Sequence, residues 1–258
     1  MSESGQVDLS RLKPYGDAMN DGVVQLSFTL PVPPSPEAEE AARVLVSQMG
    51  LDEVRVVTME PMGQAFSFFV LYGQSQHSVD FKALEVPRVR YQPMGREAVD
   101  AFAAERFAGP VTIVGACIGA DAHTVGIDAI LNMKGFAGHY GLERYSAFRV
   151  INLGAQIPVE TLVARAIEEK ARAILVSQVV TQKDIHLRNL NQLADLLEAE
   201  GIRDGVVLIV GGPNISQHLA IELGYDAGFG RGTVPEQVAA FIVQELARRG
   251  WERGRSLL

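Results

Sequence analysis

The chain has 258 residues, 47% of them apolar, and a formal net charge of −8. The apolar share supplies the core of one large domain, or of one domain with a small companion, and the acidic balance excludes the basic stripe that nucleic acid or an anionic membrane requires. The opening Met-Ser-Glu-Ser-Gly-Gln has no signal-peptide pattern, no apolar run approaches the roughly 20 residues of a membrane span, and the single Cys117 rules out an internal disulfide, so a cytoplasmic setting is expected.

Residues 1–84 read as a small α+β domain. Alternation from Val23 to Pro31 predicts a strand, and the Ala- and Glu-rich stretch from Pro36 to Met49 predicts a helix, with Pro34 and Pro36 flanking its start. Glu53-Val-Arg-Val-Val-Thr58 and Ala65-Phe-Ser-Phe-Phe-Val-Leu-Tyr72 predict two more strands, and His77 to Phe81 a fourth. These strands carry aromatic residues (Phe66, Phe68, Phe69, Tyr72) and no reactive constellation, which suggests an assembly or dimerisation module. The plainer reading is that this face only packs on the domain's own helix. Residues 85–106 read as a linker, with Pro87 and Pro93 interrupting any period, followed by a helix from 96.

Residues 107–258 change pattern. Strand-like runs at 111–116, 147–152, 172–177, 206–211 and 225–229 alternate with helical periods near 125–134, 158–170, 184–200, 214–223 and 233–248. Short β-branched strands between helices imply a parallel sheet covered on both faces. Five of them make a doubly wound α/β domain, flavodoxin- or Rossmann-like. Arg248, Arg249, Arg253 and Arg255 read as a solvated basic tail. Neither a G-x-x-x-x-G-K-[ST] loop nor a G-x-G-x-x-G helix opening is present, which disfavours a nucleotide or NAD enzyme.

The chemistry concentrates in Asp121-Ala-His123-Thr-Val-Gly126, between the strand-like Val111-Thr-Ile-Val-Gly-Ala and a helical stripe of Ile127, Ile130 and Leu131. The histidine therefore falls in a strand-to-helix loop, where open α/β sheets bind ligands. A loop histidine is ordinarily a solvated one. An aspartate two residues earlier gives it the makings of a metal ligand, because a carboxylate on one ring nitrogen fixes the tautomer and strengthens the other as a donor. Gly126 allows close approach to the backbone, for want of a Cβ, or merely opens the helix. His77, His139, His186 and His218 have no metal-ligand partner at useful spacing, and Cys117 reads as a small buried residue after a strand.

Asp-x-His-x-x-Gly is also the signature of cobalamin-binding domains that take their cofactor with its own base displaced and a histidine on cobalt. The resemblance implies that His123 is the axial cobalt ligand, oriented by Asp121. It further implies that Ser177, in Ser177-Gln-Val179, and Gly211-Gly212 hold the displaced nucleotide tail; Gly230, just after the last strand, either lets the tail approach that strand or belongs to a plain glycine-rich turn. Valine stands where the pattern has leucine, and the gap from Gly126 to Ser177 is long. The extra length, Gly138-His-Tyr-Gly-Leu-Glu-Arg-Tyr145 after Asp121 to Lys134-Gly, resembles the small subunit of lysine 5,6-aminomutase. So do Lys13-Pro-Tyr-Gly-Asp-Ala-Met-Asn-Asp-Gly22, Val24 to Pro33, Ser177 to Asp184 and Gly224-Tyr-Asp-Ala-Gly-Phe-Gly230, which together extend the likeness from about residue 8 to about 245.

That family implies adenosylcobalamin and pyridoxal 5′-phosphate as cofactors, and a radical 1,2-shift of the terminal amino group of lysine or β-lysine from C6 to C5. It implies a larger TIM-barrel α subunit in an α2β2 assembly, and assigns Lys134 the Schiff base with pyridoxal phosphate. Read as a helix residue, Lys134 continues the stripe of Ile127, Ile130 and Leu131, about 12 Å along the axis from Gly126, and its bland role is to snorkel. Three alternatives share the cobalamin motif. A corrinoid carrier for methyl transfer, or a cobalamin sensor, usually has helices or a DNA-binding module where this chain has strands. An ornithine 4,5-aminomutase carries its cobalamin domain in a much longer chain.

Overall fold

The computed structural model describes residues 7–180 and 184–251, in two compact units that divide between Glu85 and Val86. Thr181, Gln182 and Lys183, within the segment Ser177 to Asp184 likened above to the aminomutase subunit, lie outside the described residues, as do Arg253 and Arg255.

The first unit is a three-stranded antiparallel sheet of β1 (Val23–Leu30), β2 (Leu51–Met62) and β3 (Phe66–Ser75), in the order β1-β3-β2, with helix α1 (Pro36–Gln48) on one face. Ser35 caps α1 by accepting from the Ala38 N–H at 3.1 Å, and Pro36 occupies the first turn, where no N–H is needed. Ala38, Ala42 and Val46 of α1 pack on Phe69 and Leu71. The four aromatic residues grouped in the sequence reading therefore do not share a face. Side chains alternate along a strand, so Phe69 is fully buried under α1 while Phe66, Phe68 and Tyr72 stand on the other side. The fourth strand expected at 77–81 is a single bridge from Val79 to Leu12, followed by a short 3-10 turn at Phe81–Ala83. β2 runs past the expected Thr58 through Pro61; it is an edge strand, where proline's missing N–H can face solvent.

The second unit is a five-stranded parallel sheet of β4 (Val111–Cys117), β5 (Phe148–Asn152), β6 (Ala173–Ser177), β7 (Val207–Gly211) and β8 (Ala227–Phe229) in the order β5-β4-β6-β7-β8. This is the doubly wound order expected, with the topological switch between β4 and β6. Helices α2 (Arg96–Arg106), α3 (Val125–Leu131) and α7 (Pro235–Arg248) cover one face, against Val111, Ile113, Leu175, Val207 and Ile209. Helices α4 (Val159–Glu168), α5 (Ile185–Ala199) and α6 (Gln217–Glu222) cover the other, against Val114, Ala116, Ile174, Val176 and Leu208. α2, read from sequence as lying outside the sheet domain, places Val99 and Ala103 in its core. Arg249, read as part of a solvated tail, is instead held by Asp226, by Glu245 and by the Val206 carbonyl, and Arg248 pairs with Glu245. Among the described residues no helix is long and apolar enough to cross a membrane.

α3 is seven residues long, three fewer than its sequence period suggests, and ends at Leu131 because Asn132 turns extended (ψ 144°). Leu131 is fully buried and makes the last apolar anchor of α3 on the sheet. Leu131→Ala is expected to cost about 2–5 kcal/mol of unfolding free energy, read as a lowered urea midpoint at unchanged m-value.

Candidate functional site

β4 ends at Cys117, and the chain crosses the carboxyl end of the sheet before entering α3 at Val125. Asp121 sits at this crossing, 2% exposed, and accepts four hydrogen bonds. Its Oδ1 takes the His123 N–H at 3.0 Å and faces His123 Nδ1 at 2.8 Å. Its Oδ2 takes the Val179 N–H at 2.5 Å and the Val180 N–H at 3.2 Å, from the loop after β6. Burial alone would raise the carboxyl pKa; the Val179 and His123 N–H groups, the imidazole and the Val180 N–H outweigh it and hold Asp121 below the usual carboxylate range. An ionised carboxylate only accepts, so His123 Nδ1 carries a proton, and in the neutral ring it is Nε2 that presents the lone pair. The imidazole is 60% exposed, so that lone pair is on offer. Among the described residues no group of three or more His, Cys, Asp or Glu is placed to hold a metal ion.

Beside this loop a cleft of about 390 Å³ opens along the carboxyl ends of β6, β7 and β8. One wall is α3 (Val125, Gly126, Ile127, Ile130), the far wall is the loop Gly230-Arg231-Gly232-Thr233, and the floor is formed by Ser177, Val179, Gly211 and Gly212. Five residues singled out from the sequence, Gly126, Ser177, Gly211, Gly212 and Gly230, thus line one cavity, and Asp121 touches it through Val179. The glycines do different jobs. A Cβ at Gly212 would lie 2.2 Å from the Gln178 carbonyl oxygen, so close strand packing demands glycine there. At Gly211 the nearest atom would be 3.7 Å away, so that glycine leaves the cleft room rather than relieving a clash. A Cβ at Gly126 would stand 3.2 Å from Ser177 Oγ, which lets the first turn of α3 lie against the end of β6.

Three contributors are not evident in the sequence. Gln178, 2% exposed, donates through Nε2 to the Ile118 carbonyl at 2.7 Å and joins the ends of β4 and β6; a polar residue directly after a buried strand was the available signal. Phe136, far along the chain, reaches back to line the cleft. His139, given no ligand role above, ties the same loop to α7 through Glu236, with Nδ1 2.6 Å from Oε2. Cys117 keeps its plain reading: burial first, then the nearby Asp121 charge, push its thiol up to about 11, and it donates to the His123 carbonyl. Of the sequence candidates, Asp121, His123 and Lys134 do not line the cleft; the first two stand in the loop beside it, and Lys134 lies apart from both. It is exposed in the turn after α3, so the stripe predicted for it and its 12 Å of helix rise do not exist; the helical rise stops at Leu131.

A parallel α/β sheet with a carboxylate-oriented imidazole at its switch point, beside a cleft at the strand ends, defines a corrinoid-binding domain, and residues 111–240 match the family model described as "B12 binding domain". Residues 11–88 match "Dimerisation domain of d-ornithine 4,5-aminomutase". The chain belongs to the lysine 5,6-aminomutase beta-subunit family. It is 51% identical to that subunit of Fusobacterium nucleatum subsp. nucleatum, across 96% of this chain and 94% of the relative. It is 49% identical to the lysine 5,6-aminomutase beta subunit of Acetoanaerobium sticklandii, across 94% and 93%. The D-ornithine 4,5-aminomutase subunit beta of that organism is 35% identical across 95% of this chain but 32% of its own length. The protein is therefore the cobalamin-carrying subunit of an aminomutase, an isomerase.

Asp121→Asn would set an amide N–H₂ against two of the four donors, an expected loss of about 1–3 kcal/mol at neutral pH. Because the folded pKa is depressed, this contribution is complete above the unfolded value of about 4 and is lost as pH falls through the folded value. Urea unfolding of both proteins at pH 7 and pH 3 should show the gap narrowing in acid.

Proposed function

We propose that this chain carries adenosylcobalamin with His123 as the lower axial ligand and the nucleotide tail in the cleft, and that it serves an aminomutase acting on the terminal amino group of lysine or β-lysine. The observation that carries the reading is the imidazole of His123, its Nδ1 committed to a buried carboxylate and its Nε2 exposed. A bare metal ion needs three or four protein donors. A cobalt that arrives with its equatorial ligands in place needs one, and one is what this loop offers. Ser177, Gly211, Gly212 and Gly230 line the space proposed for the tail, and apolar Ile127, Ile130 and Phe136 suit a flat base.

Lys134 fits the second cofactor. It is exposed, and among the described residues it makes no hydrogen bond or ion pair, so its amine is open to an aldehyde brought by another subunit. Adenosylcobalamin supplies a carbon radical and pyridoxal phosphate an electron sink when bound; this chain supplies placement. Its partner on this reading is a larger barrel subunit, in an α2β2 assembly. The face of the first unit that carries Phe68 and Tyr72, uncovered by α1, is the surface proposed for pairing two copies.

Two measurements test the assignments. Electron paramagnetic resonance of the Co(II) form should change its nitrogen hyperfine pattern when the protein is labelled with ¹⁵N-histidine, and His123→Ala should abolish that change. With the larger subunit and pyridoxal phosphate present, borohydride reduction should leave a phosphopyridoxyl group on Lys134, found by mass spectrometry. A label elsewhere, or none on this chain, would reduce the protein to a corrinoid carrier.

A further inference from the structure

The turn that carries Lys134 is held at every residue except the lysine. Asn152, the last residue of β5, donates through Nδ2 to Asp128 Oδ1 at 2.8 Å and to Asn132 Oδ1 at 2.9 Å, while its own Oδ1 accepts the Gly154 N–H. The Met133 N–H donates to Glu143 Oε2 at 2.8 Å. The Gly135 N–H closes on the Asn132 carbonyl at 2.9 Å. Gly141 packs so tightly beneath that a Cβ there would lie 1.9 Å from the same carbonyl oxygen. Beyond it, Phe136 and His139 bridge a two-residue hairpin whose centre, Ala137 and Gly138, has positive φ at both positions, as the tight primed turn requires. Asn132 and Met133 are thus anchored from separate parts of the chain, Gly135 closes the turn on Asn132, and the exposed side chain between them is Lys134.

We propose that Asn152 and Glu143 are positioning residues for Lys134: they lock the backbone of its turn so that the amine meets an incoming aldehyde from one place. This rests on the reading of Lys134 as the attachment point of pyridoxal phosphate. A lysine stem has four rotatable bonds, and motion of the backbone beneath it would multiply the positions of the nitrogen. Fixing the backbone leaves only the stem to be ordered, which raises the effective concentration of amine at a carbonyl held by the partner. In the covalent step the amine nitrogen adds to the aldehyde carbon and the carbonyl oxygen leaves as water. Borohydride then delivers hydride to that carbon and leaves a stable secondary amine.

The test uses the complex with the larger subunit, loaded with cobalamin and pyridoxal phosphate, and reads the fraction of Lys134 that carries the phosphopyridoxyl group after brief borohydride treatment. Glu143→Ala and Asn152→Ala are expected to lower that fraction about threefold or more, while cobalamin affinity of the full chain, followed by absorbance, stays within about twofold. Glu143→Gln keeps an acceptor for the Met133 N–H and is expected to restore most of the label. Glu143 is exposed, so the Glu143 pair decides the matter even where Asn152→Ala fails to fold. Unchanged labelling in both alanine variants overturns the positioning role, as does a Glu143→Gln that loses as much label as Glu143→Ala. No label on Lys134 in the unsubstituted complex overturns the attachment reading itself, and with it this role.

Discussion

The site depends on one buried carboxylate. Asp121 is nearly inaccessible, and a charge in that position is tolerated only when its lone pairs are filled. Four donors fill them, two from His123 and two from the loop after β6. β4 and β6 are the strands on either side of the switch point, so this one group closes the crevice of the sheet at its carboxyl edge. The same bonds that satisfy the charge set the tautomer of His123, and thereby decide which nitrogen faces outward.

A second consequence is that the two ends of the proposed cobalamin site share a backbone. Val179 donates to Asp121 and also lines the cleft. Ser177 is hydrogen-bonded to the Cys117 thiol, which donates to the His123 carbonyl. Gln178 reaches the Ile118 carbonyl, and Gly212 passes against the Gln178 carbonyl with no space for a side chain. Imidazole and tail cleft are therefore placed by one short network rather than by separate loops. The larger apolar clusters on both faces of the sheet supply the stability on which this polar network draws, but they would support many other strand-end loops equally well.

The parallel sheet was legible in the sequence because buried strands of this kind are short apolar runs rich in β-branched residues; β4 to β7 coincide with such runs, and β8 with the apolar Ala227-Gly-Phe229. Asp121, His123 and the strand-end glycines were legible because they sit at strand ends in a recognisable spacing. The misses share a cause. Periodicity carried α3 on to Lys134, yet Asn132 has better partners in Asn152 and Gly135 than in another helical turn. The same limit hid Arg249, whose partner Asp226 stands 23 residues back, just before β8, and the opposite facing of Phe68 and Phe69.

Local pattern, then, determined which segments became strands and helices, how the sheet would wind, and which residues would gather at its carboxyl edge, because these follow from burial and period along a few neighbouring residues. Only the tertiary structure decided how those residues act. It put the Asp121 charge between two loops and left Nε2 of His123 open. It brought Phe136 into the cleft and took Lys134 off its helix into a pinned turn. Each of these is set by hydrogen bonds and close contacts between residues distant in sequence, whose geometry no local period encodes.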